Sequence, residues 1–344
     1  MKVLVTTYPA VTILGGGLRS QVDGTCNALA EEGVEVARFD PWEEMDLGGF
    51  DLCHLFGANI GTYHTAATLH RAGMKTVVSP IFFTRRSRWA VRATIRVDRR
   101  IRRLVRGVWT DYGIASDICR WADLVLPNTS TEADMVVRGL CVPADRVGIV
   151  PNGVDERFYN ADPGPFREKY GLEHFVLSVG FIGMERKNFL RLFQALKDID
   201  RPAVIIGGVW GGAYADACRK AAEGAGNITI LEPLPSSSPL LASAYAACDA
   251  FVLPSLYETP GIAALEAALA GARVVITPLG GTRDYFGDLA EYVNPFSTAS
   301  IRDGIRRALD GERGDGLREH IRREFTWKRV AELTMAAYRD VLGG

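Results

Sequence analysis

Two carboxylates, Glu258 and Glu266, stand with seven residues between them in the stretch 253–278, LPSLYETPGIAALEAALAGARVVITP. The run Ile262 to Ala270 around Glu266 is otherwise apolar, so a helix there is buried and carries one acid inside it. A buried carboxylate without a partner is costly or takes up a proton, so Glu266 requires a polar neighbour. Thr259 followed by Pro260 predicts an N-cap and first helical position, with Glu258 just ahead and Gly261 and Ile262 at the open amide end, a ready anion site. At a rise of about 1.5 Å per residue the carboxylates lie roughly 10 Å apart with free amides between them. That layout suits a diol, a phosphate group and a second diol in line, as in the sugar, diphosphate and ribose of a nucleotide sugar. A plainer reading stands beside it: Glu258 complements the helix dipole, and Glu266 meets a buried arginine or a backbone amide.

Further candidates lie upstream. Gly180-Phe181-Ile182-Gly183-Met184-Glu185-Arg186-Lys187-Asn188 follows a strand-like run, and its cations Arg186 and Lys187 could neutralise a departing diphosphate or form an ordinary charged turn beside Glu185. Gly15-Gly16-Gly17, between the first strand and first helix, allows close backbone approach to a phosphate or sugar, or serves a loop needing positive backbone angles. Gly15-x-Gly17-x-x-Ser20, with Asp40 about twenty residues on, approximates a dinucleotide fingerprint. It fails in detail, because Thr7 to Gly15 is long for a tight turn and Ser20 replaces the third glycine.

From Arg85 to Arg106 the chain carries ten arginines against one acid, Asp98. Val97, Ile101, Leu104, Val105 and Val108 fall at helical spacing, predicting an amphipathic helix whose stripe packs on the sheet and whose basic face meets solvent, an anionic membrane or a phosphate-bearing acceptor. Nucleic acid does not fit, since no reader motif or aromatic interleaving accompanies the arginines. No metal is called for: the one D-x-D, Asp198-Ile199-Asp200, precedes Pro202 and reads as a surface turn.

The elements that must hold these residues alternate. Strand-like runs at Val3 to Thr7, Val34 to Phe39, Leu52 to Phe56, Thr76 to Ser79, Ala122 to Pro127 and Val147 to Val150 are spaced by helix-like segments, the pattern of a wound parallel sheet. Pro151-Asn152-Gly153-Val154-Asp155, continuing to Pro163-Gly164-Pro165, marks a linker, after which the alternation restarts at Phe175 to Val179, Ala203 to Ile206, Ile228 to Leu231, Ala250 to Leu253 and Val274 to Thr277. A length of 344 residues suits two such domains. A net charge of -1 gives no global pull toward polyanions, and six scattered cysteines without a C-x-x-C pair read as reduced core residues of a cytoplasmic protein. No segment is long and apolar enough for a signal peptide or a bilayer span.

Taken in order, the glycine loop, PNGVD, the RKN loop, Glu258-x7-Glu266 after Leu253-Pro254-Ser255, and Gly280-Gly281 resemble the retaining glycosyltransferases of family 4. The resemblance implies an α/β GT-B fold, with two Rossmann-like domains whose parallel sheets face each other across a cleft. It implies an acceptor-binding domain at 1–155, a nucleotide-sugar-binding domain at 156–325, and a helix at 326–344 that crosses back to the first domain, with Trp327 in the contact. It assigns Glu258, Arg186 and Lys187 to catalysis and Glu266, Gly261, Ile262, Thr259, Pro260 and Gly180 to the donor. Gly15, Gly16 and Gly17 fall to the acceptor or a phosphate. It further implies metal-independent transfer, and the basic helix 85–106 points to a glycan or lipid-linked acceptor at the inner face of the plasma membrane, consistent with cell-envelope or extracellular polysaccharide synthesis. Two departures stand out. Phe181 occupies a place where many members have arginine, and Val78-Ser79-Pro80-Ile81-Phe82-Phe83 lacks the histidine many members carry, leaving Ser79 or a backbone carbonyl for that role. A GT-B nucleotide-sugar epimerase and a non-catalytic nucleotide-sugar-binding scaffold share the donor site and remain the alternatives.

Overall fold

The protein is described by a computed structural model covering residues 1–14, 16–105, 107–311 and 314–343. The chain divides into two compact units, the first built from Met1–Gly153 with Trp327–Gly344 and the second from Val154–Thr326.

The first unit is a five-stranded parallel sheet: β1 (Lys2–Thr6), β2 (Glu35–Arg38), β3 (Leu52–Phe56), β4 (Thr76–Ser79) and β5 (Leu124–Val125), in the order β2-β1-β3-β4-β5. Every residue of β3 and β4 is buried, as strands covered by helices on both faces require. The Ala122 to Pro127 run forms only the two-residue β5, and Val147 to Val150 supplies one isolated bridge, Val125 to Val147, in place of a strand. Trp327–Leu342 forms a helix of this unit; its Val330, Ala331, Ala337 and Tyr338 join the core over Val3, Val22, Leu29 and Leu52. Gly24 and Gly153 make room for Trp327, since a Cβ at either would overlap the indole. Tyr338 meets His54 in the middle of β3: its hydroxyl lies 2.7 Å from His54 Nδ1, while Nε2 lies 2.9 Å from Ser79 Oγ. Burial pushes the His54 imidazole down to about 3, so it is neutral, with one nitrogen donating and the other accepting.

The arginine-rich segment forms a helix over Arg88–Leu104, but its sides are not those the spacing predicts. Val91, Ile95 and Asp98 face inward, and Val97, Ile101, Leu104 and Val105 face outward, as does Val108 beyond the helix end. Asp98 explains the inversion. Its Oδ1 accepts from the Thr110 amide at 2.7 Å and its Oδ2 lies 2.5 Å from Arg102 Nη2, whose other nitrogen Nη1 reaches Asp117 at 2.6 Å. Satisfied in this way, an acid and an arginine occupy inner positions that an apolar count gives to valine and leucine.

The second unit is a six-stranded parallel sheet: β6 (Val176–Val179), β7 (Ala203–Ile206), β8 (Ile228–Leu231), β9 (Ala250–Leu253), β10 (Arg273–Ile276) and β11 (Glu291–Tyr292), in the order β11-β10-β9-β6-β7-β8. The winding reverses between β6 and β9, and in such sheets ligands bind beyond the carboxyl ends of strands at that switch point. The loops leaving there are 180–188 after β6 and 254–261 after β9.

Candidate functional site

Three donors converge on one oxygen at the switch point of the second unit. Glu258 Oε1 lies 2.6 Å from Lys187 Nζ, 3.2 Å from Arg186 Nη1 and 2.7 Å from Ser255 Oγ, and the glutamate is only 5% exposed. Burial pushes the Glu258 carboxyl up, but the charges of Lys187 and then Arg186, with hydrogen bonds from Lys187 and Ser255, hold it below the usual carboxylate range. It is therefore a charged group with its charge already balanced.

The backbone fixes this cluster from both sides. The Glu258 amide donates to Leu279 O at 3.0 Å and the Gly281 amide donates to Glu258 O at 2.9 Å, closing a parallel bridge between Glu258 and Gly280. Gly280 has φ +104 and a Cβ there would overlap the Glu258 carbonyl, so the crossing requires glycine. On the other side the Leu256 amide donates to Arg186 O at 2.8 Å and Arg186 Nη1 donates to Tyr257 O at 3.2 Å. Asn188, left-handed at φ 60, donates through Nδ2 to Pro254 O at 2.9 Å and Pro295 O at 2.7 Å. The loop bearing the cations is thus stitched to the loop bearing the acid before any ligand arrives.

Glu266 lies one helix further along. The helix runs Ile262–Leu269 with Gly261 as N-cap at φ 79, and no side chain caps its amides. Thr259 is not the N-cap and Pro260 is not the first helical residue. Glu258 is held extended by Gly280, and the left-handed Gly261 must turn the chain before a right-handed helix can begin. Glu266 Oε2 accepts from Tyr245 Oη at 2.8 Å, its polar partner in place of an arginine or amide. Burial pushes the Glu266 carboxyl up to about 7, against the smaller effects of Tyr245 and Arg157. Tyr245, held well above its ordinary value by burial, stays protonated and donates.

With this geometry in view, residues 166–325 match the sequence profile of a family described as glycosyl transferases group 1. The second unit is a glycosyl transferases group 1 domain. D-inositol 3-phosphate glycosyltransferase from Actinosynnema mirum is 30% identical over 249 residues, covering 64% of this chain and 58% of the relative. The chain therefore spans somewhat over half the length of that relative. Sucrose-phosphate synthase from Thermosynechococcus elongatus superimposes with a TM-score of 0.76 at 18% identity, covering 99% of each chain. Anabaena HepE, solved in complex with UDP and glucose, gives 0.70 at 16% identity over 99% of this chain and 100% of its own. At such identities these likenesses speak for the architecture alone, and they establish the GT-B fold.

The group 1 domain brings Glu258, Arg186 and Lys187 together and sets Gly261, Ile262 and Glu266 on the next helix. Gly180 stands at the end of β6, where its carbonyl leaves no room for a Cβ at Gly207. In the first unit Gly15 lies outside the described residues; Gly16, at φ 90, is the uncapped N-cap of the 17–31 helix and Gly17 its first residue. Ser79 is engaged by His54, as above, and the turn after it passes through Ile81 at φ 50, a left-handed position that a β-branched residue rarely takes. Buried Glu132 secures that turn, accepting from the Phe82 amide at 2.7 Å and the Asn128 amide at 2.8 Å, and burial pushes its carboxyl up to about 7. Thr129 caps the following helix by accepting from the Glu132 amide at 3.1 Å, while the Glu132 side chain turns to Phe82 and Asn128.

Motif and spacing assign no role to Ser255, Tyr245 or Trp210. Ser255 sits inside the quoted Leu253-Pro254-Ser255, where its spacing of three from Glu258 was the available signal. Tyr245 is brought to Glu266 by packing between two helices, which spacing does not reveal. Phe181 and Trp210, both exposed, pair with ring centroids 5.5 Å apart at the carboxyl ends of β6 and β7. Asp198 is engaged by Arg302 at 3.5 Å, and no cluster of His, Cys, Asp or Glu suited to a metal ion occurs among the described residues.

Proposed function

We propose that the chain is a retaining glycosyltransferase that moves a sugar from a nucleotide-diphosphate sugar to a glycan or lipid-linked acceptor in cell-envelope or extracellular polysaccharide synthesis. The observation that carries this reading is the buried Glu258 carboxylate bound to Lys187 and Arg186 at the switch point of the group 1 domain. A diphosphate arriving beside Glu258 offers the two cations a second anion, and the charge they share is then available to the leaving group as the glycosidic bond breaks. The amides at Gly261 and Ile262, which no side chain caps, supply further donors to a phosphate. Glu258 takes hydroxyls of the donor sugar. Because its charge is divided among three donors, it positions the sugar and stabilises developing positive charge without forming a covalent bond to it. Glu266 accepts from the ribose. The acceptor falls to the first unit, with Gly16 and Gly17 as contacts, and transfer proceeds without a metal.

The test is a thermal-shift panel of UDP, GDP, ADP and dTDP without divalent metal, followed by transfer from the donor whose base responds. A ligand at about a hundred times its dissociation constant adds about 2.7 kcal/mol to stability. Stabilisation by one base, lost in Glu266→Ala, with transfer lost in Glu258→Ala, is the expected result. Product formed without an acceptor favours an epimerase, and nucleotide binding without any turnover favours a scaffold. Equal behaviour of wild type and both variants overturns the site.

A further inference from the structure

The helix Arg88–Leu104 has three sides; the fold buries one, and on the basic side Arg99 donates to Ser116 Oγ at 3.1 Å. Val91, Ile95 and Asp98 form the inner row, and the Asp98, Arg102 and Asp117 clasp fixes the rotation of the helix about its axis. A second row at four-residue spacing, Trp89, Ala93, Val97, Ile101 and Val105, faces outward with Leu104 beside it. Trp89 is 67%, Val97 55% and Leu104 86% exposed, and the apolar run continues beyond the helix into exposed Val108 and Trp109. The third side is basic: Arg92, Arg96 and Arg100 form one row, with Arg99 and Arg103 next to it. Arg85, Arg86, Arg96, Arg100 and Arg103 are exposed and make no ion pair among the described residues. The one acid of the segment, Asp98, is buried and taken.

Such an array is costly to leave in water, and its charge selects the occupant. A polyanion would satisfy the arginines and leave Trp89 and Leu104 wet. A second copy of the chain would bury the apolar row but bring two arginine rows together. An anionic lipid surface satisfies both sides at once, with apolar side chains entering among the acyl chains and guanidinium groups at the phosphates. We propose that this helix is a membrane-insertion element that holds the protein in the interface of an anionic bilayer through Trp89, Val97, Leu104 and Trp109, with Arg96, Arg100 and Arg103 on the headgroups. It rests on the reading that the acceptor is met at a membrane face, and it replaces charge adsorption by insertion. No helix among the described residues is long and apolar enough to cross a bilayer, so the contact is in-plane.

The experiment is cosedimentation of the full chain with phosphatidylcholine vesicles, with and without phosphatidylglycerol, at about 0.1 M and about 1 M salt, where the screening length falls from about 10 to about 3 Å. We expect binding to the anionic vesicles that partly survives high salt, together with a blue shift of emission that is reduced in Trp89→Phe and lost when Trp109→Phe is added. Arg96→Gln with Arg100→Gln and Arg103→Gln lowers affinity for anionic vesicles about a hundredfold. Val97→Ser with Leu104→Ser lowers it about tenfold or more and removes the salt-resistant part. All five positions are exposed, so nucleotide binding in the absence of vesicles should be unchanged. That control also separates failure of this proposal from failure of the donor site. Absence of binding to anionic vesicles, binding indifferent to Val97→Ser with Leu104→Ser, or a solution dimer dissociated by Leu104→Ser without vesicle binding overturns the proposal.

Discussion

Replacing Glu266 by glutamine should make the protein more stable and its donor site weaker. The folded Glu266 carboxyl sits at about 7, above its ordinary 4.5, because burial disfavours the charge. Between these values the folded state keeps a proton that the unfolded chain releases. The stabilisation linked to that proton is complete below about 4.5 and is lost as pH rises through about 7. At about 1.4 kcal/mol per pH unit the limit is about 3 kcal/mol, and since part of the side chain meets solvent, about 1–2 kcal/mol is the working figure. Glu266→Gln keeps an acceptor for Tyr245 and never carries the charge. At about pH 8 it should therefore be the more stable protein by that amount, and at about pH 5 the two should be nearly equal. Calorimetry reads the change as a rise of about 3–6 °C in the transition of the second unit. Glu132 in the first unit titrates in the same direction, so the difference between variant and wild type is the quantity to follow, and the wild-type slope alone is not. A variant that melts below wild type at about pH 8, or a gap of equal size at both pH values, refutes the reasoning. The same variant should bind the nucleoside diphosphate about tenfold or more weakly, because a charged acceptor is lost to the ribose.

Further outcomes follow from the geometry. Lys187→Met leaves buried Glu258 with two donors of three and should lower the stability of the second unit by about 2–3 kcal/mol in urea unfolding, whereas Glu258→Ala, which leaves the longer Lys187 to reach water, should cost less while abolishing transfer. Gly280→Ala forces a Cβ onto the Glu258 carbonyl at a positive φ; a loss of about 2–4 kcal/mol with loss of donor binding is expected, and wild-type stability would exclude the crossing as drawn. Tyr338→Phe leaves His54 Nδ1 buried without a partner, so the first-unit transition should fall by about 1–3 kcal/mol while that of the second stays in place. In wild type, His54 held down at about 3 makes the first unit lose stability as pH falls below the ordinary value of 6.5, which acid unfolding with and without Tyr338→Phe will register.

The parallel sheets were legible because their strands are buried on both faces and read as short apolar runs; Leu52 to Phe56, Thr76 to Ser79 and Ala250 to Leu253 carry the same bounds in sequence and structure. Where a run was apolar for another reason the reading failed. Val147 to Val150 packs beside β5 without a ladder, and Thr259-Pro260 has capping residues but a backbone tied to Gly280. The arginine helix was legible as a helix and not in its orientation, because the Asp98 clasp depends on Thr110 and Asp117, which join the helix only after folding. The pairing of Lys187 with Glu258 spans 71 residues and had no local signal, and only the order of motifs brought them together beforehand.

The chain passes from the first unit to the second at Gly153 and returns at Trp327, and the two passages lie side by side, with the Val154 amide donating to Phe325 O at 2.8 Å. The second unit is thus one continuous stretch, while the first is written in two pieces. On the ribosome the first 153 residues appear early but must wait for the Trp327–Leu342 helix to seat Trp327 against Gly24 and bring Tyr338 to His54. The unit that starts first finishes last, so a nascent chain stopped at Thr326 already holds the complete second unit, tethered to a first-unit sheet that still lacks its last helix.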